Sequence, residues 1–103
     1  MWMLKQSMEQ EIKMNRMQYQ PCEETELTVV NEKEAVLVHL GNALTFHLNL
    51  TGLFIWNDLK SGYTMEEIAL RLNRNFDVDL EVARREVSKF IGNLISLELI
   101  KSV

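Results

Sequence analysis

At 103 residues, with 47% hydrophobic and 25% charged side chains, the chain has the make-up of one globular domain with a modest core. A net charge of −4 argues against a partner held by phosphate contacts, and the single cysteine excludes an internal disulfide framework. No apolar run approaches the roughly 18 residues that a bilayer span needs, so the expectation is a cytoplasmic protein with no membrane partner.

Residues 1–20 are rich in Met and Gln and place Leu4, Met8 and Ile12 at helical spacing. Two readings stay open: a frayed extension, or a short helix docked on a partner or on the sister chain of a homodimer. Pro21 punctuates the chain, dividing it into an extension over 1–20 and a folded domain over 21–103.

From Glu26 the period changes to two. Leu27 and Val29 alternate with Thr28 and Val30, Asn31-Glu32-Lys33-Glu34 makes a polar turn, and Ala35 to Leu40 suits a central strand. Gly41-Asn42 predicts a tight hairpin turn, because both residues tolerate positive φ. In Ala43 to Leu48, Leu44, Phe46 and Leu48 share one face. A three-stranded antiparallel meander of this kind needs helices over its apolar face.

Three helix patterns follow. Asn49 starts the first, which Ser61-Gly62 ends. Thr64 with Glu67 forms a capping box for the second, whose stripe is Met65, Ile68, Ala69 and Leu72. Asp79 is the expected cap of the third. Its core stripe is read as Ala83, Val87, Phe90, Leu94 and Leu97, with Ile91 and Ile95 on one flank and Glu86, Lys89 and Asn93 on the other. The fold class is α+β and winged-helix-like: a three-stranded antiparallel sheet followed by three helices.

Nothing in this pattern reads as catalytic. His39 and His47 lack partners at a metal-ligand spacing and read as residues of a solvated sheet face. Cys22 has no paired histidine, and Glu66-Glu67 belongs to a helix start. No glycine-rich phosphate loop is present, so neither cofactor nor metal is expected. Arg71, Arg74, Arg84 and Arg85 lie on the two helices of a would-be helix-turn-helix, which keeps a winged-helix DNA-binding regulator as the alternative. Six acidic residues among those helices, from Glu66 to Glu86, oppose it, and no nucleic-acid partner is expected.

The ordered set Leu48-Asn49-Leu50-Thr51-Gly52, Ile55-Trp56, Gly62-Tyr63-Thr64, Glu67-Ile68, Phe76-Asp77-Val78 and Leu97 to Ile100 resembles the PqqD-like family over about residues 25–101. The start of the first helix is also similar to leader-binding proteins of lasso-peptide pathways. The resemblance implies a non-catalytic recognition element in the making of ribosomally synthesised, modified peptides. Its partners would be a precursor leader peptide and a modifying enzyme, such as a radical SAM enzyme, or a leader peptidase. The peptide would add as a strand beside the third strand and the third helix. On this sequence that mode assigns Leu44, Thr45, Phe46, His47 and Leu48 to the pairing edge, and Arg84, Val87, Ser88, Ile91 and Ile95 to the opposite wall.

Overall fold

The computed structural model describes residues 17–103. Leu4, Met8 and Ile12, and any helix or dimer contact they make, lie outside the described residues. Eight elements follow in order: β1 (Tyr19–Pro21), β2 (Thr25–Asn31), β3 (Glu34–His39), β4 (Thr45–Leu48), α1 (Leu50–Lys60), α2 (Met65–Phe76), α3 (Leu80–Ser96) and β5 (Ile100–Ser102). The expected meander is β2-β3-β4, antiparallel throughout, and the three helices follow it.

Strand β3 is central because its alternation is the cleanest. Ala35, Leu37 and His39 are buried on the helix side, while Val36 and Val38 stay half-exposed on the other. Leu37 pairs with Leu27 on one side and Phe46 on the other. Beneath them pack Ile55, Trp56 and Leu59 of α1, Ile68 and Leu72 of α2, and Val87, Ile91 and Leu94 of α3.

The helix starts follow local chemistry. Asn49 Oδ1 accepts the Gly52 N–H at 2.8 Å, and Thr64 and Glu67 each accept the other's backbone N–H. Those hydrogen bonds hold the Glu67 carboxyl below the usual carboxylate range. Asp79 occupies the cap position of α3 but makes no side-chain cap bond. Gly62, at φ 91°, turns the chain after α1, a conformation that suits glycine.

A second, two-stranded sheet had no signal in the sequence. β1 pairs antiparallel with β5, Tyr19 opposite Ser102, so the fold takes in Tyr19 and Gln20 ahead of Pro21. Tyr19 is buried, which raises its phenol above the ordinary value by desolvation.

The β3–β4 turn differs from the tight Gly41-Asn42 hairpin. The loop is wider, closed by His39 N–H to the Leu44 carbonyl and Ala43 N–H to the His39 carbonyl. Positive φ falls on Ala43, at 58°, rather than on Gly41 or Asn42. His39 is the reason. Only 8% exposed instead of solvated, it turns Nδ1 to the loop and accepts from the Gly41 and Asn42 N–H groups at 3.1 and 3.3 Å.

Candidate functional site

A groove of about 810 Å³ opens between β4 and α3. Its floor is apolar. Phe46 and Phe90 meet edge to face at 5.9 Å between centroids, and Leu48 and Ala35 continue the surface. The wall on α3 is Val82, Glu86, Lys89 and Asn93, with Val78 just before the helix. Val30 and Glu34 close the end nearest the β2–β3 hairpin, beside Asn49 and Thr51. Gly52 lets α1 come close here: a Cβ at that position would lie 3.3 Å from both Leu48 Cδ2 and Phe90 Cε2.

The rim along β4 is an open sheet edge, and its register can be worked out. His39 N–H donates to the Leu44 carbonyl at 2.9 Å, so residues 39 and 44 form a hydrogen-bonded pair. Such pairs alternate with unbonded ones along an antiparallel ladder. Leu37–Phe46 and Ala35–Leu48 are therefore bonded, and Val38–Thr45 and Val36–His47 are not. The N–H and C=O groups of Thr45 and His47 point away from β3, into the space beside α3. Among the described residues they have no strand partner.

The two ends of the groove are also fixed. The Leu99 carbonyl, just past α3, accepts from Cys22 N–H at 3.0 Å and the Thr25 hydroxyl at 2.7 Å. Thr25 lies opposite His39, and His39 opposite Leu44. The C-terminal end of α3 thus sits at the Thr45 end of β4, and its N-terminal end at the Leu48 end.

Of the residues assigned from the sequence, Phe46, His47 and Leu48 line this groove, and Thr45 presents its main chain on the edge. Leu44 falls in the turn before β4 and is exposed. The helix assignments land elsewhere. Val87 and Ile91 are core residues, Ile91 only 2% exposed, and Phe90 rather than Ile91 turns to the groove. Arg84 reaches α2, where Nη2 meets Glu66 Oε1 at 2.7 Å. Ser88 and Ile95 are exposed outside the groove lining. The wall is thus the opposite flank of α3. The buried series Ala83, Val87, Ile91, Leu94 turns the helix so that Glu86, Lys89 and Asn93 face β4.

Two of the four arginines that favoured DNA are engaged inside the fold. Arg71 donates to the buried Asp58 at 2.7 Å and stacks over Tyr63 at 4.6 Å, a pairing that raises its already high pKa. Arg84 is held by Glu66. The two histidines do not face one another, since His47 lies opposite Val36. No cluster able to hold a metal occurs among the described residues, and no described helix is long and apolar enough to cross a membrane.

Comparison with known proteins places these features. The profile of the family described as Coenzyme PQQ synthesis protein D (PqqD) matches residues 34–100, which takes in β3, β4 and all three helices. Among solved structures, TbiB1 in complex with the TbiA(beta) leader peptide is 27% identical. It matches with a TM-score of 0.73 over 80% of this chain and 94% of that one. A lasso peptide synthetase B1 complexed with the leader peptide, at 18% identity, shares the fold with a TM-score of 0.73 over 82% and 98% of the two chains. A comparison with curated proteins gives no match. With its family profile spanning well over half of its length, the chain belongs to the PqqD family.

Proposed function

We propose that this protein is a non-catalytic recognition element. It takes up the leader peptide of a ribosomally synthesised precursor and presents it to the enzyme that modifies or cleaves that precursor. The observation that carries the reading is the unpaired β4 edge, with the main chain of Thr45 and His47 facing across an apolar groove to α3. An extended peptide laid there gains main-chain hydrogen bonds from the edge and side-chain contacts from the groove. Neighbouring strands share a face at opposing residues, so peptide side chains opposite Phe46 and Leu48 enter the groove. Those opposite Thr45 and His47 face solvent. The 27% identical TbiB1, solved in complex with a leader peptide, supports leader-peptide binding, as does membership of the PqqD family. The groove offers positioning groups and apolar surface, without a nucleophile held by a base.

The register supplies a selective test. Proline at position 47 removes an N–H that faces outward, and an edge strand tolerates that loss. His47→Pro should leave the circular dichroism spectrum unchanged and reduce calorimetric affinity for the leader encoded beside this gene at least tenfold, about 1.4 kcal/mol. Unchanged affinity in the folded variant would move the peptide off this edge. Tight binding to duplex DNA, with no heat from the leader, would favour the regulator reading instead.

A further inference from the structure

The groove is not electrically uniform. Glu34 lies at the Leu48 end of the groove, Glu86 midway along the α3 wall beyond Val82, and Lys89 three residues further along α3, toward Asn93. Lys89 is the one permanently cationic side chain among the described lining residues. Neither Glu86 nor Lys89 is in an ion pair among the described residues, although each is exposed. The other arginine and glutamate facing one another across the helices, Arg84 and Glu66, are already matched on the far flank of α3. The charges that face the groove are therefore the ones left for an incoming chain.

Resting on the peptide-binding reading, we infer that the groove selects a charge-polar strand. It carries a basic side chain on the Glu34 and Glu86 side, apolar side chains over Phe46 and Leu48, and an acidic side chain toward Lys89. Main-chain pairing alone is nearly blind to direction, because the outward N–H and C=O groups of Thr45 and His47 can pair with a parallel or an antiparallel strand. The carboxylates of Glu34 and Glu86 on the Leu48 side of the Lys89 ammonium remove that degeneracy. A peptide laid in backwards sets its acid against two carboxylates and its base against an ammonium, an arrangement that costs affinity for the wrong direction as well as favouring the right one. Direction matters to a presenting protein, since it decides which end of the precursor extends past the Leu48 end toward a waiting enzyme.

The experiment is a selection from a displayed library of short random peptides on the wild-type chain, Lys89→Glu, Glu86→Lys and the folded His47→Pro control. Wild type should enrich apolar-alternating peptides with a base at one end and an acid at the other. Lys89→Glu should weaken the wild-type consensus peptide about fivefold, the scale of one exposed ion pair, and changing that peptide's acid to lysine should restore it. Glu86→Lys should act on the basic end in the same way, and both effects should shrink as salt is raised. Peptides that enrich on wild type over His47→Pro without regard to charge would overturn this inference and leave the binding reading intact. No enrichment over that control would overturn both.

Discussion

The two edges of the three-stranded sheet make an instructive pair. β2 is guarded. Its first residues are covered by the segment leading into β5, through the Cys22 and Thr25 bonds to the Leu99 carbonyl. Its far end is broken by the register shift between Val29 and Asn31, and the exposed Glu26 is its second residue. These are the devices by which natural sheets discourage a stray strand. β4 has none of them: Thr45, Phe46, His47 and Leu48 include no carboxylate, lysine, proline or bulge. One chain has closed one edge and left the other receptive, and the receptive one borders the groove. An unguarded edge is a hazard unless something is meant to pair with it.

The largest expected effect removes what both edges share. Leu37 is fully buried between Leu27 and Phe46, and Leu37→Ala should cost about 3–4 kcal/mol in urea unfolding, loosening β2 and β4 alike. A smaller loss would mean the sheet is not the keystone of this core. Proline scanning then separates the two directions along β4. Phe46→Pro removes an N–H that bonds to β3 and should cost about 3 kcal/mol. His47→Pro should stay within about 1 kcal/mol of wild type. Equal losses would refute the register. His39→Ala deletes the acceptor for Gly41 and Asn42 and should cost about 1–2 kcal/mol. Hydrogen exchange should quicken in the β3–β4 turn more than in β2, and uniform quickening would count against His39 as the organiser of that turn. The smallest change in stability, within about 0.5 kcal/mol, belongs to Glu26→Val on the guarded edge. Its readout is faster aggregation on mild heating, whereas unaltered aggregation would show that the bulge and the Leu99 cover suffice.

The legible parts of this fold were those written locally. Asn49, and Thr64 with Glu67, announce helix starts because each cap bonds within three residues of itself. The alternation of Ala35, Leu37 and His39 marks the central strand for the same reason, and the change of period after Leu48 set the three strands before the three helices. Pairing of Tyr19 with Ser102 was not legible: three-residue strands from opposite ends of the chain leave no periodic trace. The groove-facing flank of α3 was illegible in a different way. Phe90 and Ile91 lie 100° apart on α3, and either completes an apolar stripe with Val87 and Leu94. The tertiary fit took Ile91 and freed Phe90 to meet Phe46, which rotated Glu86, Lys89 and Asn93 onto the groove. Polar residues there gave no reason, from sequence, to expect a groove wall. His39 hid in plain view, since nothing local distinguishes a buried turn acceptor from a solvated strand histidine.

Pairing of β1 with β5 has a geometric consequence of its own. Val103 N–H reaches the Gln18 carbonyl at 3.0 Å, so the two flanks of the fold leave the body side by side. They do so beside the turn between α1 and α2, where Gln18 Nε2 donates to the Gly62 carbonyl at 2.8 Å and Met65 N–H to the Met17 carbonyl at 3.3 Å. Cargo attached through either flank would hang from the same place on the fold. Upstream and downstream tethering therefore become interchangeable architectures, and the order of two coupled modules along a gene ceases to dictate their arrangement in space.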